Sequence, residues 1–399
     1  MSDTIIGREE LLKLVRQRHR DQVSWRHHLH QFPELSTEER ETSKFIAKHV
    51  RQFGLKILPI KMETGVLAEL AGARPGRTVA IRSDIDALPI TEQTKVSYKS
   101  KHPGVMHACG HDMHMAVVLG AAAVLSELRD RLPGKVRFIF QPAEEQPPGG
   151  ARPMIANGAM KGVDIILGLH NEPNLPTGKI SLRDGPVMAS VYDFDLIIHG
   201  RSGHAARPHT AVDAIATAAE IVESLQKVVS REINPMASTV ISFGSIEGGT
   251  ARNVVADRVV LKGTSRALTE EVARQVPKLI KRTVAGICKA RNARFELIEV
   301  AGYPILRNDA AVNRLLKTTY DSLFGTGKVK ETEMMLGGED FACYLDEAPG
   351  AMFRLGIRNK KIKADRPWHS SDFMVDDDAI VYGTALMVAA TLNYLHGNG

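Results

Sequence analysis

The chain has 399 residues, of which 43% are hydrophobic and 25% charged, and its formal net charge is +6. That length allows two domains with cores of their own, and the balance is that of a soluble globular protein rather than a disordered or fibrous one. The basic excess raises nucleic acid as a partner. The densest basic run, Arg358 to Lys363, has no interleaved aromatic residues and reads as a solvated loop, so nucleic acid is not an expected partner. The longest apolar run, Ala116 to Leu125, is too short to span a bilayer, so no membrane partner is expected either. The start of the chain is polar and charged (Arg8, Glu9, Glu10) and shows no signal-peptide core. Three cysteines, Cys109, Cys288 and Cys343, form no pairing pattern. The expected location is cytoplasmic.

In chain order, Arg8 to Leu29 has Leu11, Leu12, Val15 and Val23 at helical spacing. His27, His28 and His30 read there as helix surface or packing. A polar break follows at Gln31 to Glu34, and Thr37 to Phe53 predicts a second helix capped by Gly54. Three short apolar runs then share one form. Thr78 to Ile81 leads into Asp84 and Asp86, Val136 to Phe140 into Glu144 and Glu145, and Asp164 to Leu169 into His170. Strands of that kind separated by helical stretches such as Asp112 to Leu132 predict an α/β domain with a central, mostly parallel sheet. Ligands of such sheets bind outside the carboxyl ends of the strands, where these acids and imidazoles fall.

After Gly185 the pattern changes. Val191 to Ile198 alternates as a strand, Ala211 to Val229 is helical, and Thr239 to Phe243 and Arg258 to Lys262 read as strands joined through Gly248-Gly249. A helix follows from Thr269 to about Arg291, with Pro277 either bending it or marking its true start, and Phe295 to Val300 is a last strand. The order βαββαβ is that of a ferredoxin-like unit. The expected division is therefore a discontinuous domain over 1–187 and 304–399, interrupted by an inserted α+β domain over 188–303. The returning chain carries a helix from Asp309 to Phe324, the motif Gly337-Gly-Glu-Asp-Phe341, the loop Trp368-His369-Ser-Ser371 and a terminal helix from about Asp377.

The chemistry centres on Met106 to His114, which offers a thiol, three imidazoles and a carboxylate around Gly110. Cys109 and His111, two apart on a bent segment, suit a borderline-soft divalent ion. Asp84 and Asp86 lie on one strand face, where like charges need a cation or donors, and Asp86 is suited to orient a ligand imidazole. In the adjacent pair Glu144-Glu145, one carboxylate can bind metal while the other takes a proton from water. Metal lowers that water's pKa from about 15.7 to about 7, on the order of 12 kcal/mol of help in making a nucleophile. His170 and His369 complete five candidate ligands with Cys109, His111 and Glu145, enough for two ions sharing a bridging water. In the inserted domain, His199 to His209 joins three imidazoles to Arg201 and Arg207. It reads either as a polar turn or as a donor set for an anion or oxyanion. Asn253 and Arg266 offer further donors suited to a carboxylate, although Arg266 reads equally well as a surface residue.

These motifs together resemble the metal-dependent amidohydrolase and aminoacylase family, which includes hippurate hydrolases, N-acetyl-diaminopimelate deacetylases and auxin-conjugate hydrolases. The resemblance runs from His30-Gln-Phe-Pro33 through Arg82 to Pro89, Met106 to His114, Gln141 to Glu145, Gly168-Leu-His170-Asn, Gly203-His204 to His209, Asn253-Val-Val and Gly338-Glu-Asp-Phe to Trp368-His369-Ser. It implies a zinc-peptidase-like catalytic domain with a ferredoxin-like lid or dimerisation domain, and a homodimer. Cys109, His111, Glu145, His170 and His369 would bind two divalent ions, of zinc, manganese, cobalt or nickel. Glu144 would be the general base and His204 the oxyanion donor, in relatives supplied across subunits, and Asp86, orienting a ligand imidazole, is counted with them as catalytic. Asn253, Arg266 and His209 would contact substrate. The implied reaction is hydrolysis of N-acyl amino acids. A carboxypeptidase or dipeptidase of the same family, or a catalytically silent binding protein, are the alternatives. Trp368 departs from the family, standing where an aliphatic residue is common, and Arg201-Ser202 replaces the usual small or basic pair.

Overall fold

Three apolar runs become long strands that set the level of everything functional. Thr78–Ile81 lies within Arg74–Asp84, Val136–Phe140 within Pro133–Gln141, and the run after Asp164 becomes Ile165–Pro176. The computed structural model describes residues 6–300 and 302–397. Arg74–Asp84 pairs in parallel with both other strands, and Gly350–Arg358 joins Ile165–Pro176 in parallel as well. From Thr78 to Asp84 every residue is buried, as a sheet covered on both faces requires. The register sets Asp84 opposite Gln141 and Arg82 opposite Gly168. Asp84, Gln141 and His170 therefore reach one level at the same end of the sheet.

Among the described residues this sheet has eight strands and is mixed. Lys56–Leu58 pairs antiparallel with Val66–Ala71, Val66–Ala71 with Pro133–Gln141, and Gly350–Arg358 with Ile180–Leu182. The expected parallel character thus holds for the central four strands, not for the flanks. Flanking strands as short as three residues carry too little pattern to show their direction.

Helices cover this sheet. His111–Glu127 and Ala379–Leu395 pack on it and on each other, and Arg8–Gln31 packs across both. In His111–Glu127 every residue through Leu125 is buried, so the helix has no polar face. Gln22 stitches the three together, its Nε2 donating to Ala116 O at 3.1 Å and Thr384 Oγ1 at 2.7 Å. Gly120 makes room for it, since a Cβ there would lie 1.8 Å from Gln22 Nε2. The second helix begins at Arg40, three residues later than expected from Thr37. Its cap comes from upstream: the Glu34 carboxylate accepts from Glu41 N at 3.1 Å and Thr42 N at 2.8 Å.

The chain divides into two compact units, one within Met1–Gly185, Arg307–Glu333 and Cys343–Gly399, the other within Pro186–Leu306 and Met334–Ala342. The stretch holding Gly337 to Phe341 groups with the second unit. Within that unit, four antiparallel strands stand in the order Thr239–Gly248, Arg258–Ala267, Ser190–His199, Arg294–Val300. Their connection is strand, helix, two strands, helix, strand, and Phe194, Leu196 and Ile198 face a core with Ile221, Leu225, Ile280 and Val284. Pro277 neither begins nor ends its helix, which runs over Glu270–Ala290 with Thr269 as its N-cap. Among the described residues no helix is long and apolar enough to cross a membrane.

Candidate metal centre

Cys109 and His111 flank Gly110, whose φ of 81° turns the chain into the His111–Glu127 helix. His111 Nδ1 lies 2.9 Å from Asp86 O and 3.3 Å from Asp86 Oδ1. That engagement turns Nε2 the other way, where it is buried and has no hydrogen-bond partner. Its nearest acids are Asp84 Oδ2 at 3.7 Å and Glu145 Oε1 at 3.8 Å.

The glutamate pair is aimed by its backbone. Ala143 sits in the left-handed region at φ 54°, with its N–H donating to Glu39 Oε1 at 2.8 Å. Two residues on, Glu145 N donates to Asp86 Oδ2 at 2.9 Å, an oxygen that also accepts from Ser36 Oγ at 2.7 Å. Asp86 thus holds both the His111 ring and the Glu145 backbone. His369 also has a left-handed backbone, φ 61°, and its N–H donates to Ala108 O at 2.9 Å. This ties the late loop to the early one and sets His369 Nε2 3.3 Å from Glu145 Oε1. Cys109 Sγ lies 3.5 Å from His170 Nε2, and His170 Nδ1 is 2.8 Å from Asn171 O. The structure corrects one detail: His170 does not follow its strand but lies within it, opposite Arg354.

The five expected ligands and Glu144 fall into interlocking groups of three, and within each group the ligand atoms lie within 4.8 Å of one another. Cys109, His111 and His170 form one group, Cys109, Glu145 and His369 a second, and His111, Glu144 and Glu145 a third. Two observations test whether the set fits metal ions. The buried His111 Nε2 lacks a hydrogen-bond partner among the described residues, an expensive arrangement without a cation, and Glu145 Oε1 lies 3.8 Å from it and 3.3 Å from His369 Nε2. The electrostatics agree. Burial, with Glu145, Glu144 and Asp84 adding to it, pushes the Cys109 thiol well up. Burial opposes charge on His111, yet Asp84 and Asp86 carry it up to about 10. His170 is driven well down by burial, with Arg354 and His114 acting in the same direction. Asp84 and Glu145 act on Cys109 and His111 in the same sense, raising both, and a divalent ion bound there would displace their protons.

Several neighbours were not singled out by sequence reasoning. His114 accepts at Nε2 from Asn171 N at 2.9 Å, so its proton is on Nδ1, 2.7 Å from Asp84 Oδ1. That use excludes it as a ligand through Nε2, although it belongs to the same histidine-rich loop. Asp84 also accepts from Arg82 Nη1 at 2.7 Å and is a buried hub rather than a strand end reaching solvent. Behind the loop, Asp112 Oδ2 receives Arg26 Nε at 3.0 Å and lies 2.9 Å from His30 Nδ1. Of the three early histidines, His30 is therefore part of a buried charged network, and only Glu and Asp partners far along the chain reveal it.

In the second unit, His204 and Asn253 are exposed neighbours, since the Gly203–His204 strand pairs with Val254–Val255 and Ala205 N donates to Asn253 O at 3.0 Å. Ala206 N donates to His204 Nδ1 at 3.0 Å, which leaves the ring proton on Nε2. His209 is exposed in a short turn, Pro208–Thr210. Arg266 is not brought to them. Its strand runs on to Ala267 rather than stopping at Lys262, and Arg266 lies eight residues, about 26 Å at strand spacing, beyond Arg258, which pairs with His199. Its Nη1 donates to Asp193 Oδ1 at 3.1 Å. The expected grouping of Asn253 with Arg266 on one substrate carboxylate is not found within this unit.

Comparison with known proteins follows the same lines. Residues 80–393 match the sequence profile of Peptidase family M20/M25/M40. An N-acetyl-L-cysteine deacetylase of Bacillus subtilis is 40% identical over 94% of this chain and 88% of its own length. Thermostable carboxypeptidase 1 of Saccharolobus solfataricus is 39% identical over 90% of this chain and 92% of its own. A crystal structure of a Bacillus subtilis protein described as a dinuclear metal binding peptidase from the M20 family superposes with a TM-score of 0.82. It is 35% identical and covers 96% of this chain and 99% of that one.

Proposed function

Because the chain belongs to the M20/M25/M40 peptidase family, metal-dependent hydrolases of amide bonds, we propose that it removes the acyl group from N-acyl amino acids. The observation that carries this reading is a second carboxylate beside the ligand set. Glu144 and Glu145 are adjacent, both lie within reach of His111, and a binding site alone would not need the second acid. Cys109, His111, Glu145, His170 and His369 are assigned as holders of two divalent ions drawn from zinc, manganese, cobalt or nickel. Bound there, the ions would polarise the acyl carbonyl and acidify a water.

The protein's own groups do the rest. Glu144 takes the proton of the attacking water and delivers it to the leaving amine. Asp86 keeps His111 turned so that Nε2 faces the centre. His204, with its ring proton on Nε2, is assigned as donor to the oxyanion, and Asn253 and His209 as contacts of the substrate. The reading includes a homodimer and a cytoplasmic location. A purified chain that is monomeric and fully active would remove the dimer.

The test is a panel of N-acetyl and N-benzoyl amino acids, with chelator and then single metals added back. Hydrolysis abolished by chelator and restored by metal is expected. A Glu144→Gln variant should keep its metal and lose about 10²–10⁴-fold in turnover; a near-normal rate would show that the base is another group. The carboxypeptidase relative keeps a second reading in view. Faster cleavage of unblocked dipeptides than of acyl amino acids would favour it.

A further inference from the structure

One amide ties together three of the four chain segments that supply the assigned ligands. Asn171 Nδ2 lies 2.5 Å from Cys109 O and 2.9 Å from His114 Nε2, and Asn171 Oδ1 accepts from Trp368 Nε1 at 2.8 Å. The Cys109 contact fixes the backbone between Cys109 and His111. Asn171 is itself the residue after His170, and Trp368 is the residue before His369. Gly110 is shaped around this contact, since a Cβ there would lie 2.5 Å from Asn171 Nδ2. A core asparagine with satisfied hydrogen bonds needs no such convergence on ligand-bearing segments.

The indole determines which way the amide faces. A tryptophan N–H can only donate, so Oδ1 must meet it, and the NH₂ must then face Cys109 O and His114 Nε2. Rotating the amide by half a turn would set donor against donor at Trp368 and acceptor against acceptor at Cys109. The indole is held in its turn. Its ring stands edge-on to His170 at 5.3 Å and 89°, and the Arg354 guanidinium lies 5.6 Å from its centroid.

We propose that Asn171 is the positioning residue of the metal centre, locking Cys109, His170 and His369 into one frame, and that the Trp368 N–H sets its orientation. The proposal rests on the metal-centre reading above but not on the substrate. Partners that orient ligands in this way are worth about 10–100-fold in metal affinity.

Two variants test it with readouts independent of turnover. Trp368→Phe keeps an aromatic ring and removes the N–H. Asn171→Asp keeps the acceptor for Trp368 and removes the donor to Cys109 and His114. Cobalt(II) is titrated into metal-free protein against a competing chelator, the thiolate-to-cobalt absorption is recorded, and the melting temperature of each metal-free protein is measured. Both variants should bind cobalt about 10–100-fold more weakly and shift the thiolate band, with the metal-free melting temperature of Trp368→Phe near that of the parent. Unchanged affinity and an unchanged band in both variants would overturn the proposal. So would an affinity loss matched by a loss of metal-free stability in both, since the role would then be structural only. If the parent protein binds no cobalt, the metal-centre reading itself falls, and that result is distinct from either.

Discussion

Two segments of this chain look alike as strings and are opposites in space. Met106 to His114 and His199 to His209 each hold three histidines beside glycine turns. In the first, His107, His111 and His114 are all fully buried and lie among acids from two distant segments, Asp84 with Asp86 and Glu144 with Glu145. In the second, His204 and His209 are exposed, and the recorded bonds of the segment run mostly to its own near neighbours. Histidine spacing alone is therefore a poor guide to what a histidine-rich stretch does. Burial decides: inside, His111 and His114 are held at Nδ1 by Asp86 and Asp84 and aimed by them, whereas outside His204 and His209 face solvent.

That contrast predicts which variants damage the fold and which only the reaction. The largest effect on stability is expected from Asp112→Asn. It takes from the buried Arg26 and His30 one of two acids each, Asp377 and Glu92 remaining, and should cost about 3 kcal/mol in urea unfolding of the metal-free protein. A loss below about 1 kcal/mol would break the comparison on its buried side. His204→Ala is the converse. Turnover should fall about 10²–10³-fold, near 2.7–4 kcal/mol, while unfolding free energy stays within about 0.5 kcal/mol. Joint loss of stability would mean that the exposed segment is structural after all.

A third test uses pH. Burial, with the charge of Asp86 nearby, pushes the Glu39 carboxyl up to about 7. Its folded pKa exceeds its unfolded value, so the native state binds more protons between about 4.5 and 7, and stability falls as pH rises through that window. The fall should be at most about 3 kcal/mol, and Glu39→Gln should flatten it. A slope unchanged by that variant would assign it to other groups. The smallest effect is expected at Arg266. Its half-exposed pair with Asp193 is worth about 0–1 kcal/mol, and Arg266→Gln should leave KM unaltered. A large rise in KM would return Arg266 to the substrate despite its place at the far end of the strand.

Much of the frame was legible because it depends on local pattern. Val-Ala-Ile and Phe-Ile-Phe runs ending in acids read as central strands, and those strands bring Asp84, Glu144, Glu145 and His170 to one end. What was not legible depended on partners far along the chain. His30 resembles any helical histidine until Asp112 and Glu92 stand beside it. His114 resembles a ligand until the Asn171 backbone N–H takes its free nitrogen. Arg266 looked available because its strand seemed to end at Lys262, and a serine, a glycine and a threonine hid the continuation to Ala267.

The His111–Glu127 helix, buried on all sides, has a further consequence for how the protein opens. A helix with no solvent face cannot fray or detach without exposing the centre of the core, so its amides should exchange with deuterium only through unfolding of the whole first unit. Because His111 is the first residue of that helix, ligand geometry there would be shielded from local breathing. The exposed His369 loop, held by His369 N to Ala108 O and Trp368 Nε1 to Asn171 Oδ1, would by contrast open before the helix does. Exchange should thus be slowest at one side of the centre and fast at the other, giving the site a fixed wall and a movable one.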